Sequence, residues 1–173
     1  QGLQSEADIE TLFTLFAPKK ESYGRSVGED WYSFIDDKVI IEPFLTGVGD
    51  ELPADYKLHF RRGEFWFLQV IRGRYTGGLR ELLLDRTLSP LPYSLDTRMM
   101  RDEEDTVDHE LVSRMAACSK NLISDFDYAR VDFLVGAGEV FFGEVTFAPM
   151  GGLYRGSGAK KLMNRAPGLT SFS

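Results

Sequence analysis

The chain has 173 residues, 43% of them hydrophobic and 13% aromatic, enough to bury the core of one domain or of one domain plus a small lobe. Its 27 acids against 20 bases give a formal net charge of -7, which argues against a general binder of nucleic acid or anionic membrane while leaving room for a local basic cluster. Cys118 is the single cysteine and allows no internal disulfide, and no apolar run has the length of a membrane span or a signal segment, so a cytoplasmic protein with no membrane insertion is expected.

Gln1-Gly2 in place of an initiator Met reads as the scar of a cleavable tag, so the natural chain is expected to begin upstream. Ser5 and Asp8 precede Ile9, Leu12, Phe13 and Phe16, whose spacing predicts a capped amphipathic packing helix stopped before Pro18. Residues 19–37 read as an ordered surface loop, and "VIIEPFL" near 39–45 as a strand ended by "TGVGDELP". "DYKLHFRRGEFWFLQVIRGR" alternates on both sides of Arg62-Gly63 and predicts a hairpin.

The stretch that follows is broken by Pro90 and Pro92 and reads as irregular apart from a short piece near Leu82. A long helix is expected from Asp105 or Thr106, with Val107, Leu111, Met115, Cys118 and Leu122 on its apolar face. The acids Asp102, Glu103, Glu104 and Asp105 then read as a solvated helix start rather than a metal site. A last hairpin, 129–147, is followed by a loose tail, 150–173. The whole, residues 1–173, reads as a single α+β domain in which one face of an antiparallel sheet packs on helices and the other stays available.

The last hairpin, "RVDFLVGAGEVFFGEVTFAP", carries two acids among Val, Phe and Leu. With "GAG" as a three-residue loop, Asp132 faces Phe142 and Glu144 lies two positions on, on the same side. Carboxylates so placed, roughly 7 to 8 Å apart at the backbone, repel unless a cation answers them. A hard divalent ion such as Mg²⁺ suits oxygen-only ligands, whereas His59 and His109 lie too far away in sequence for zinc spacing. The plainer alternative is that both acids reach water or pair with Arg130 or Arg61.

These residues also carry a resemblance. "RVDF", a glycine turn and "EVFFGEVTFAP" resemble the C-terminal signature of ATP-grasp ligases, R-x-D-F followed by N-E-x-N-x-x-P. "VIIEPFL" is similar to the superfamily's hinge strand, and "ADYKLHFRRGEFWFLQV" and "GLRELLLDRTLSPLPY" to segments of its TupA-like branch, named for teichuronopeptide biosynthesis. In order, these segments cover about residues 20 to 152.

The resemblance implies the C-terminal part of an ATP-grasp fold, with ATP and Mg²⁺ as cofactors. Asp132, Glu144 and, more weakly, Thr146 would be the metal ligands, and Lys57 would meet the phosphates. Ile41, Glu42, Phe44 and Leu45 would line the adenine, and Asp55 would reach the ribose or order its turn. Arg72, Arg74 and Arg80 would serve an anionic acceptor or an acyl phosphate.

The implied activity is ATP-dependent joining of a carboxylate to an amine in cell-envelope polysaccharide or peptide-polymer biosynthesis. The alternative is a non-catalytic nucleotide-binding or interaction domain of the same fold. That alternative draws on the lack of a counterpart, in this sequence, to the branch's K-x-N-H-x-S-G lysine and glycine flap. A glycosyltransferase draws no support from the motifs above. The acid and amine stay unidentified, and an exposed sheet edge leaves room for homo-oligomers.

Overall fold

The computed structural model describes residues 52–74, 76–152 and 154–163, with 9–11, 14, 15, 34, 40, 42 and 45. Contacts divide the chain into two compact units, Gln1–Phe44 and Leu45–Ser173. In the first, residues 9–11 and 14–15 are helical, as the apolar spacing predicts, and Thr14 Oγ1 donates to the Glu10 carbonyl at 2.9 Å. The strand expected over 39–45 is not seen at Ile40, Glu42 or Leu45, and Pro43 has no N–H to give a ladder there. The rest of that segment lies outside the described residues.

The second unit is built on a six-stranded sheet of order β4-β3-β2-β1-β5-β6. The strands are β1 (Ala54–Arg61), β2 (Glu64–Arg72), β3 (Arg80–Asp85), β4 (Met100–Arg101), β5 (Tyr128–Gly136) and β6 (Glu139–Thr146). Every pairing is antiparallel except the short β3/β4 one, so the sheet is mixed while the α+β class holds. The predicted hairpin is β1 and β2, joined by Arg62 (φ 50) and Gly63 (φ 74), the two left-handed residues that a tight two-residue turn requires. "RELLLD" forms β3, and the proline-broken stretch after it stays largely irregular.

Period-two alternation sorts the side chains by face. Tyr56, Leu58, Phe60, Leu68, Val70, Leu82, Leu84, Val131 and Phe133 form the main core with helix α1 (His109–Ile123), through Val112, Met115 and Ile123. The helix starts three or four residues later than the spacing predicts because Asp108 caps it, Oδ1 accepting from Glu110 N at 2.9 Å and Leu111 N at 3.2 Å. Its buried face is Val112, Met115, Ser119 and Ile123, and Cys118 and Leu122 are exposed, which corrects the expected stripe. Ser119 can be buried because its hydroxyl bonds the Met115 carbonyl at 2.8 Å.

The acidic run precedes the helix rather than starting it, and only Glu103 and Glu104 are solvated as expected. Asp102 and Asp105 pair with Arg80 and Arg72 at the sheet. On the opposite face a second cluster, Phe67, Leu83, Leu95, Tyr128 and Met163, covers part of the sheet with Tyr93, Tyr154 and Leu162 packed against it. The described part of the tail is therefore packed rather than loose. It includes the four-residue helix α2 (Ala159–Leu162), and Gly156 N and Gly158 N donate to the Leu95 and Ser94 carbonyls at 2.8 and 2.7 Å.

Candidate functional site

Four adjacent strands place Gln69, Lys57, Asp132 and Glu144 in one row. Lys57 is directly opposite Gln69 on β2 and Asp132 on β5, and Asp132 is directly opposite Glu144 on β6. The next rung on the same face reads His59, Arg130, Thr146. This is the face away from α1, and its buried polar residues, His59, Gln69, Glu81, Arg130 and Asp132, all sit at the alternate positions that the apolar core leaves.

The last hairpin reaches this arrangement by a register other than the expected one. Its loop has two residues, Ala137 (φ 52) and Gly138 (φ 80), so Gly136 pairs with Glu139 and Phe133 with Phe142. The register then shifts between Phe133 and Asp132, leaving Gly143 as the extra residue of a β-bulge and bringing Glu144 opposite Asp132. Asp132 therefore faces Glu144 directly and not Phe142. Without the bulge Glu144 would oppose Val131 and point toward the core face.

Charges at this point are closely matched. Arg130 Nε donates to Asp132 Oδ1 at 2.6 Å and Nη2 to Oδ2 at 2.7 Å, a bidentate fork between residues two apart on one strand. Nη2 also lies 3.1 Å from Glu144 Oε1 and 3.3 Å from Thr146 Oγ1, and Thr146 Oγ1 donates to the same Glu144 oxygen at 3.1 Å. The Lys57 ammonium bonds Asp132 Oδ2 from the other side. Burial alone would lower the Arg130 pKa, but the charge and hydrogen bonds of Asp132 outweigh it and raise it, so the guanidinium stays charged. The plainer expectation, an acid pair answered by Arg130, is thus met in the geometry.

The same residues fit a divalent ion held with phosphate. Among the described residues no group of three or more His, Cys, Asp or Glu side chains could hold a metal by itself. Mg²⁺ asks for less, commonly one or two carboxylates with phosphate and water completing the shell. The Asp132 side chain is 10% exposed and that of Glu144 61%, so the first carboxylate is held in place while the second faces solvent. The ion would compete with Arg130 for Glu144 Oε1.

The other expected site residues divide by place. Asp55 shares the face of Lys57 and binds Arg74, whose Nε donates to Oδ2 at 2.8 Å. Arg72 and Arg80 oppose each other on β2 and β3, on the α1 side of the sheet, and hence across it from Asp132. Arg72 Nε donates to Asp105 Oδ2 at 2.6 Å, and Arg80 lies 3.4 Å from Asp102. The structure does not bring these two to the acid pair, because positions 68, 70 and 72 of β2 and 80, 82 and 84 of β3 lie on the helix side of the sheet. Leu45 is half-buried and Glu42 exposed, and Ile41 and Phe44 lie outside the described residues.

Arg130, expected only as a counter-ion, is at the centre of the site, and Gln69 and Glu81, which carry no site role in the sequence motifs, lie buried on the same face. The available signal was the period-two pairing of Arg130 with Asp132 and of Glu144 with Thr146, which sets all four on one face.

The arrangement can bind a cation through its carboxylates and an anion through Lys57 and Arg130, side by side on a half-covered sheet. The sequence model of the family described as TupA-like ATPgrasp matches residues 5–162, and the chain belongs to that family. Family membership implies nucleotide binding. No curated protein and no solved structure matches the chain. No helix among the described residues is long and apolar enough to cross a membrane.

Proposed function

We propose that the chain is the nucleotide- and metal-binding part of an ATP-dependent carboxylate-amine ligase working in the cytoplasm, with substrates drawn from cell-envelope polysaccharide or peptide-polymer biosynthesis. The observation that carries this reading is the direct row Lys57, Asp132, Glu144 on three adjacent strands of a chain in the TupA-like ATP-grasp family.

Asp132 and Glu144 would hold Mg²⁺, with the Thr146 hydroxyl as a weaker oxygen donor. When bound, the ion neutralises charge on the β- and γ-phosphates. Lys57 meets the phosphates as a point charge, and Arg130, held positive by Asp132, adds a planar donor for the oxygens of the transferring group. A substrate carboxylate oxygen attacks the γ-phosphorus, the bond to the β-phosphate oxygen breaks, and ADP leaves an acyl phosphate. The amine nitrogen then attacks the carbonyl carbon, phosphate departs, and the amine proton is lost. Asp55 with Arg74 lies one rung from Lys57 on the same face and would order the nucleotide side of the site. Arg72 and Arg80 have no part in this scheme.

Calorimetric titration of the chain with ATP, with and without Mg²⁺, tests the reading. Binding that depends on the metal and disappears in Asp132→Asn and Glu144→Gln is the expected result. Binding indifferent to Mg²⁺ and to both substitutions would show that the acids are only partners of Arg130.

A further inference from the structure

We propose that Glu81 and Tyr154 are positioning residues for Arg130, acting through two chain segments locked together over the sheet face.

Glu81 on β3 is 1% exposed, yet its carboxyl is fully engaged. Oε1 accepts from Gln69 Nε2 at 2.5 Å, and Oε2 from Ser94 Oγ at 2.5 Å and from the Leu95 amide at 3.0 Å. A buried acid with donors from a neighbouring strand and from a separate segment fixes that segment to the sheet, because every one of those donors would be costly to orphan. The segment it holds then holds another. The Ser94 and Leu95 carbonyls accept from Gly158 N and Gly156 N, and Ser157 Oγ accepts from Ser94 N at 3.1 Å.

The two segments touch backbone to backbone. A Cβ at Gly156 would lie 2.1 Å from the Ser94 oxygen, and one at Gly158 would lie 2.8 Å from Tyr93 Cβ. Only glycine fits at Gly156, so the contact is specific in place as well as in bonding.

Two residues before Gly156 stands Tyr154, packed in the second cluster, with its hydroxyl 3.4 Å from Arg130 Nη1. That nitrogen is the one that the carboxylates leave over, since Nε and Nη2 serve Asp132, Glu144 and Thr146. The guanidinium is therefore held at all three nitrogens: Nε and Nη2 by the acids, and Nη1 by Tyr154. Under the ligase reading, on which this consequence rests, a metal ion must take Glu144 Oε1 from Nη2, and the Tyr154 oxygen gives the guanidinium a second acceptor while it does so.

The test uses the whole chain and two readouts. The first is the nitrogen-15 resonance of Arg130 Nε and the exchange rate of its hydrogen, with thermal unfolding recorded alongside. The second is the affinity for Mn²⁺ in the presence of ADP, read by electron paramagnetic resonance. Tyr154→Phe keeps the packing and removes only the oxygen. It is expected to lower the unfolding midpoint only slightly, to speed Arg130 Nε exchange about tenfold, and to weaken Mn²⁺ binding about fivefold, the scale of one ordinary hydrogen bond. Gly156→Ala and Glu81→Gln should produce the same Arg130 signature from a distance. An Arg130 signal and exchange rate unchanged in folded Tyr154→Phe overturn the proposal. A wild-type chain that binds no Mn²⁺ with ADP counts against the ligase reading, and the resonance readout still decides the positioning role.

Discussion

Glu144 stands directly across from Asp132 because Gly143 is the extra residue of a bulge between them and Phe142. Turn and bulge work together: the two-residue turn sets one register, and the bulge shifts it by one more residue, returning Glu144 to the face of Asp132. A Cβ at position 143 would lie 3.1 Å from the Asp132 carbonyl oxygen, so the bulge is also a close approach of two backbones.

Gly143→Val should consequently damage the site more than the fold. Its branched side chain presses on the Asp132 carbonyl and opens the bulge, at a stability loss of about 1 kcal/mol. Losing the direct opposition of the two acids should lower Mg²⁺-dependent ATP affinity about tenfold or more. Titration calorimetry and urea unfolding on the same variant separate the two effects, and an affinity equal to wild type would show that the bulge does not set the acid pair.

The two acids should differ sharply in stability. Asp132 answers both Arg130 and Lys57 in a shielded position, so Asp132→Asn leaves two cations short of their counter-charge and should cost about 3 kcal/mol. Glu144, with most of its side chain in water, should cost no more than about 0.5 kcal/mol as Gln. Urea midpoints read this directly, and equal losses would contradict the burial difference.

Much of this was legible in the sequence, and the rest failed for identifiable reasons. The β1/β2 hairpin could be read from Arg62-Gly63, since a left-handed pair between alternating strands leaves one turn geometry. For the last hairpin, a three-residue loop and a two-residue loop plus bulge put Glu144 on the same side, so the face was right although the partner was wrong. A bulge is set by the twist and neighbours of the strand, and "FFGEV" announces it only by a glycine. The start of α1 was misplaced because four acids precede Asp108, and only the fold shows that Asp102 and Asp105 are spent on Arg80 and Arg72. Assigning Arg72 to the site failed on parity, since position 72 falls on the Leu68, Val70 side of β2.

That parity gives a control. Arg72→Ala strands Asp105, which is only 14% exposed, and removes a partner of Tyr56, so stability should fall by about 1 to 2 kcal/mol. Because the change lies across the sheet from Lys57, Mg²⁺-dependent ATP affinity of the folded variant should stay within about twofold of wild type. Lys57→Met, on the other face, should instead lower affinity about tenfold, on top of any loss from its ion pair with Asp132. If Arg72→Ala abolished binding in a folded chain, the separation of the two faces would not describe the site.

His59 gives the chain a pH response of defined sign. It is fully buried, its ring stacks on Phe67 at 3.9 Å between centroids, and Nδ1 lies 2.8 Å from the Tyr128 hydroxyl. Burial first, then the charges of Arg130 and Lys57, push its pKa well below the ordinary 6.5. The folded chain thus keeps His59 neutral while the unfolded chain takes up a proton as pH falls through 6.5. The stability contributed by neutral burial is fully present above that pH and is lost below it, by up to about 1.4 kcal/mol per pH unit. Glu81 works in the opposite sense, since burial raises its pKa above 4.5 against its Ser94, Gln69 and Leu95 donors, and its proton favours the folded state as pH falls. Comparison with His59→Gln, rather than the bare slope, therefore isolates the histidine. Between about pH 7.5 and 5.5 the wild-type urea stability should fall more steeply than that of the variant, and parallel curves would mean that His59 is protonated in the folded chain.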